Sequence, residues 1–412
     1  LHYNCHILPN GLRIIHRRTE GEVVYAGVYV NVGSRIEGPQ EEGIAHFIEH
    51  AIFKGTIHRR SGHIRNRIDG VGGELDAFTT KEETCIYATA LKEHLGRCLE
   101  LFADLLQNAT FPDEEIEKEK DVVVEEINLY RDSPSELIFD DFEERFFGEH
   151  PLAHNILGNK RNVKHFTTTQ IRDFFHRHYT SDKMVVSVVG NVDFDRLVKM
   201  CARYFGGLVP ATRVMGEADV RGTMEVFALK PFRVTVNRRT HQVHMLIGCA
   251  APTLYADDKC AFTLLNNMLG GPAMNSRLNV SVRERHGFCY SIESQYVPFT
   301  DSGIFYIYAG VDEDAAEQST HLILSELHRF GDSMITPQQL RAAQRQLIGQ
   351  MAITNDSGLN EMQSIGKAYL NYDHVDTLEE MNRDILAVTP EQLCDTAKRY
   401  LQESKLCFLY YR

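Results

Sequence analysis

Lys183-Met184-Val185-Val186-Ser187-Val188-Val189-Gly190 is an apolar run broken by one serine, and it reads as a buried strand. Ahead of it, Thr168-Thr169-Gln170-Ile171 through His178-Tyr179 reads as a capped helix followed by a turn. The same order returns 221 residues later, in Thr389-Pro390-Glu391-Gln392 through Arg399-Tyr400 and then Lys405-Leu406-Cys407-Phe408-Leu409-Tyr410-Tyr411. Each half also has an early strand feeding a helix: Val23–Val32 into Gly43–Phe53, and Val243–Ala250 into Ala261–Leu269. A period this long signals domain duplication rather than a solenoid. At 412 residues, two domains of about 200 are the natural expectation. The chain therefore reads as two copies of one α/β unit, residues 1–208 and 223–412, joined by a linker at 209–222.

Composition narrows the function. With 43% hydrophobic and 25% charged residues, the chain has the balance of a soluble globular protein. There is no apolar run of about 18 residues, so no membrane-spanning helix is expected. The N-terminus has no basic segment followed by an apolar one, so no signal peptide is expected and a cytoplasmic location is. Nine cysteines, odd in number and without a C-x-x-C pair, read as a reduced set rather than a disulfide framework or a structural zinc site. A net charge of −13 argues against nucleic acid as the main partner.

The chemistry concentrates in His46-Phe47-Ile48-Glu49-His50. His46 and His50 are four apart, so on a helix they lie one above the other on a single face. That spacing lets two ring nitrogens grip one zinc ion, and Glu49 sits where it can handle the proton of an activated water. The order H-x-x-E-H is the inverzincin arrangement. Ile44, Ala45, Phe47, Ile48, Ala51, Ile52 and Phe53 surround it, and polar groups buried in such a helix are costly unless paired or coordinated. The second half carries Phe262-Thr263-Leu264-Leu265-Asn266-Asn267 in the corresponding region, with no ligand set. One half is thus expected to hold the metal. A catalytic zinc site needs a third protein ligand and one open position. The expected helix Pro112–Tyr130 offers Glu119 and Glu126, seven apart on one face with Val122 and Val123. Glu126 is the preferred ligand, and its neighbour Glu125 the alternative.

These residues resemble the M16 peptidases, a family that includes mitochondrial processing peptidase, insulin-degrading enzyme, pitrilysin and short bacterial homologues. The resemblance covers essentially the whole chain. It runs through Leu8-Pro9-Asn10-Gly11-Leu12-Arg13, Gly33-Ser34-Arg35, Gly43-Ile44-Ala45 with the motif itself, and Phe53-Lys54-Gly55-Thr56. It implies two homologous domains of the LuxS/MPP-like metallohydrolase fold, each a mostly antiparallel sheet packed with helices. It also implies a zinc endopeptidase with one Zn²⁺ per chain. The family's third ligand lies about 76 residues past the second histidine, which falls on Glu126, and its acidic residue one heptad earlier corresponds to Glu119, in an outer-sphere or substrate-facing role.

Two further elements follow from the resemblance. Gly72-Gly73-Glu74-Leu75-Asp76-Ala77-Phe78-Thr79-Thr80 matches the edge strand that pairs with the substrate backbone, with Asp76 where asparagine is common in the family. Gly73, Leu75, Asp76, Ala77, Phe78 and Thr79 would then hold an extended peptide. In the second half, Arg283 and Tyr290 match an arginine and a tyrosine that serve as donors to the scissile carbonyl and its oxyanion. Family members of this size work as pairs of chains forming a clamshell, which implies a homodimer, with a heterodimer of related chains as the alternative. A non-catalytic or partner-dependent peptide-binding subunit is the competing reading.

Overall fold

The computed structural model describes residues 3–211 and 229–412. Residues 212–222 of the expected linker, and the first residues of the expected second domain, lie outside the described residues. Among the described residues, eleven strands form two sheets. The first contains β1 (Asn4–Ile7), β2 (Arg13–Arg18), β3 (Val23–Val30), β4 (Glu74–Thr79), β5 (Thr84–Leu91) and β6 (Met184–Gly190). Its order is β1-β2-β6-β3-β5-β4. The second contains β7 (Arg233–Val236), β8 (Val243–Ala250), β9 (Cys289–Pro298), β10 (Gly303–Val311) and β11 (Cys407–Tyr411), in the order β7-β11-β8-β10-β9.

The duplication is explicit in this topology. β2 pairs in parallel with β6, and β7 in parallel with β11. The remaining neighbours are antiparallel. The last strand of each half thus inserts between two earlier ones, β6 between β2 and β3 and β11 between β7 and β8, and a hairpin (β4–β5, β9–β10) supplies one outer edge. The two apolar runs that announce the repeat are the inserted strands β6 and β11. Each follows a helix with a threonine cap: Thr167 accepts from the Gln170 N–H, and Thr389 forms a full capping box with Gln392.

β6 is buried along its whole length because the sheet is covered on both faces. Side chains alternate across a strand. Val186 and Val188 face a core built with Phe47, Phe102, Phe174 and Phe205, whereas Val185 and Val189 face Met362, Ile365 and Tyr369. Those last residues belong to the helix Gly358–Tyr372, from the second half of the sequence. Reciprocally, one face of the second sheet (Leu246, Tyr306, Leu409, Tyr411) is covered by Leu137, Phe142 and Phe146 of the helix Pro134–Phe147, from the first half. Among the described residues, the compact units accordingly comprise 3–128, 154–211 and 353–377, and 129–153, 229–352 and 378–412. They do not follow the linear division at 208 and 223.

Close packing and polar ties hold the incoming helix on the first sheet. A side chain at Gly366 would place its Cβ 2.6 Å from the Tyr29 ring, so only glycine lets the helix approach this near. The Ser187 hydroxyl donates to the Met362 carbonyl at 2.7 Å. Arg13 donates to the carbonyls of Tyr369 and Leu370 and pairs with Asp373, which satisfies the helix C-terminus. Lys367 pairs with the buried Glu83, and Arg17 with Glu361. Among the described residues, no helix is long and apolar enough to cross a membrane.

Candidate metal centre and active site

The motif occupies the helix Ile44–Ala51, whose inner face (Ile44, Phe47, Ile48, Ala51) is fully buried. Its start is built by Glu37, a carboxylate that no motif singled out. Glu37 is buried, and its two oxygens accept from the N–H groups of Gly43 and Ala45, each at 2.8 Å. These are the donors a helix N-terminus leaves unsatisfied, and a negative charge there complements the helix dipole. Burial nevertheless pushes the Glu37 carboxyl well above the usual range, against the two backbone hydrogen bonds. Gly43 turns into the helix at φ 90°, and a Cβ there would lie 2.7 Å from the Leu157 carbonyl. The helix entry is therefore fixed by tertiary contacts rather than by a side-chain cap of its own.

The second wall is the acidic helix Asp113–Arg131. It brings Glu126 to the histidines: Glu126 Oε2 lies 3.7 Å from His46 Nε2 and 3.5 Å from His50 Nε2. The potential ligand atoms of His46, His50 and Glu126 all fall within 4.8 Å of one another. Glu125, the alternative, is exposed and accepts from Asn128 on the same helix. Helix phase separates the two neighbours.

The Glu119 side chain is 6% exposed, Oε1 lies 2.9 Å from His50 Nδ1, and Oε2 lies 2.5 Å from Lys54 Nζ. A carboxylate on Nδ1 fixes the His50 tautomer with its proton there, leaving the Nε2 lone pair free toward Glu126. Burial raises the Glu119 carboxyl, but the hydrogen bonds from His50 and Lys54 outweigh it and hold it below its ordinary value. His50 is raised: burial opposes its charge, and Glu119, Glu126 and Glu49 more than compensate. His46, buried and beside His50, is lowered to about 3 and is therefore neutral. Its Nδ1 is buried with no hydrogen-bond partner among the described residues.

A neutral imidazole does not form an ion pair with Glu126. Two imidazole nitrogens and one carboxylate converging in this way fit a zinc ion with one position left open. The orienting carboxylate behind one imidazole is the usual support of a metal-bound histidine.

Glu49 stands outside this ligand set. Its half-buried carboxylate lies near the Thr79 side chain at the end of β4, and burial raises it despite the opposing influence of Thr79 and His50. Among the described residues, β4 is an edge of the first sheet and pairs with β5 alone. Leu75, Ala77, Phe78 and Thr79 are partly accessible along it, and Gly73 precedes it. Asp76 is exposed, and its two oxygens are taken by the Ala77 N–H and the Tyr87 hydroxyl. In the other unit, Arg283 ends a π-helical turn (Asn279–Glu284) and Tyr290 opens β9. They lie together, with the guanidinium 5.8 Å from the tyrosine ring centroid, and Tyr290 is 86% exposed. Glu284 is 4.0 Å from Arg283, too long to occupy it.

Residues 13–160 match the family model described as Insulinase (Peptidase family M16), and residues 165–347 the one described as Peptidase M16 inactive domain. A protein of Bacillus subtilis named as an uncharacterized zinc protease is 32% identical over 97% of this chain and 95% of its own length. One of Mycobacterium tuberculosis, similarly named, is 34% identical over 96% and 90%. The fold is shared with a crystal structure described as a protease from Helicobacter pylori, with a TM-score of 0.91 at 20% identity, covering 100% of this chain and 99% of that one. With both family models matched in order and relatives above 30% identity along nearly its full length, the chain belongs to peptidase family M16.

Proposed function

We propose that this chain is a zinc-dependent endopeptidase acting on peptides held extended along β4. The observation that carries this reading is the convergence of His46, His50 and Glu126, with Glu49 next to His50 on the same helix. The names of the relatives, zinc proteases, support it. Two imidazoles and one carboxylate would hold the ion, one per chain. Bound zinc supplies Lewis acidity, polarising a carbonyl and making water a nucleophile at neutral pH.

The chain's own residues do the rest. Glu49 takes the proton of the attacking water and delivers it to the leaving amine. The open edge of β4, from Leu75 to Thr79, pairs with the substrate backbone, so selection rests on extended main chain rather than on one side chain. Glu119 is a positioning residue, acting through His50.

Chelation tests the reading. The purified protein is expected to cleave a quenched fluorogenic peptide, to lose that activity on treatment with a chelator, and to regain it with added zinc. Cleavage indifferent to chelation would refute it. Arg283 and Tyr290 are proposed to donate to the oxyanion of the scissile carbonyl, in their own or a partner chain's site. Losing one such donor costs about 10²–10³ in kcat. Tyr290→Phe is expected to lower kcat toward that range with zinc content unchanged, and an unaltered kcat would remove Tyr290 from this role.

A further inference from the structure

We propose that Lys54 is a positioning residue of the metal site, and that the working motif extends one turn beyond H-x-x-E-H to include it. The inference rests on the metallopeptidase reading above. His46, His50 and Lys54 recur every four residues, and the short 3-10 turn Ile52–Lys54 continues the motif helix without a break. His50 and Lys54 therefore project from one face. Between them they grip one carboxylate of the acidic helix: Glu119 Oε1 is 2.9 Å from His50 Nδ1, and Oε2 is 2.5 Å from Lys54 Nζ.

Both oxygens of a nearly buried carboxylate are thus engaged from a single element. A carboxylate pivots about its last torsion, so one bond alone leaves its second oxygen free to swing. Lys54 pins Oε2 and thereby holds Oε1 against His50 Nδ1. The ammonium also compensates a charge whose side chain is only 6% exposed. Lys54 itself is anchored: the next carbonyl, of Gly55, accepts from the Thr110 N–H at 3.0 Å, and the Thr56 hydroxyl donates to the buried Asp104 at 2.8 Å. These bonds tie the turn to the helix Leu95–Asn108 and to the loop that leads from it into the acidic helix.

The test is zinc affinity by chelator competition on the full-length protein, for the unaltered chain, Lys54→Met, Lys54→Arg, Glu119→Gln and the Lys54→Met/Glu119→Gln double variant. Circular dichroism of the metal-free forms reports the fold. Loss of an outer-sphere partner typically weakens metal binding about 10–100-fold. Lys54→Met is expected to show a loss in that range, Lys54→Arg to recover most of it, and the double variant to bind no more weakly than Glu119→Gln. In the cobalt-substituted protein the visible ligand-field bands should shift for Lys54→Met and not for Lys54→Arg. If Lys54→Met binds zinc as tightly as the unaltered chain, or if the two single losses multiply, Lys54 does not act through Glu119. If the unaltered chain itself binds no zinc, it is the metallopeptidase reading that fails.

Discussion

Glu49→Gln protein is expected to bind zinc as tightly as the unaltered chain while cleaving peptides about 10²–10⁴ times more slowly, the usual contribution of a positioned general acid–base group. The separation of the two effects follows from geometry. The converging ligand atoms are those of His46, His50 and Glu126, and the Glu49 carboxylate is not among them. Glutamine keeps the volume and one side-chain oxygen, but it cannot take a proton from water and return it to an amine. Turnover of a fluorogenic peptide and zinc content, measured on one preparation, decide the matter. Retained turnover would remove Glu49 as the base, and lost zinc would make it a ligand.

Glu126→Gln should instead lose the metal. Its carboxylate is the third member of the converging set, 3.5 Å from His50 Nε2, and a neutral amide is a poor replacement for the only anionic ligand. The fall in zinc affinity should exceed the 10–100-fold typical of losing an outer-sphere partner, and cleavage should fall with it. Glu125→Gln, one residue away, alters an exposed side chain bonded to Asn128 and is expected to change neither. The pair makes a close control: two adjacent glutamates, the same substitution, and opposite outcomes set by helix phase. Equal effects from both, or loss of zinc from Glu125→Gln alone, would overturn the ligand assignment.

Sequence carried the local features well, because they depend on neighbours along the chain. The four-residue spacing of His46 and His50 survives in the helix Ile44–Ala51, and the expected helix Pro112–Tyr130 is observed as Asp113–Arg131. β8 has the bounds its apolar run suggested, Val243–Ala250. The repeated helix–turn–strand correctly announced a duplicated fold, since capping and strand burial are both written locally.

What depends on long-range packing was not legible. The helices Pro134–Phe147 and Gly358–Tyr372 are ordinary amphipathic segments by themselves, and nothing in their sequence says that each covers the sheet of the other half. Glu37 is a loop residue whose capping role arises when the chain folds back on Gly43 and Ala45. Lys54 did carry a signal, its four-residue step from His50, but that step acquires meaning only with Glu119 opposite. The choice between Glu125 and Glu126 needed either the family's spacing or the phase of a folded helix.

His46, His50 and Glu126 are proposed to hold zinc together in this chain. Anomalous diffraction from zinc-loaded crystals, collected on either side of the zinc absorption edge, tests it most directly. One strong zinc peak per chain is expected, bonded to His46 Nε2, His50 Nε2 and a Glu126 oxygen, with Glu119 on His50 Nδ1. A peak on other residues, or none at this site in fully loaded protein, would contradict it.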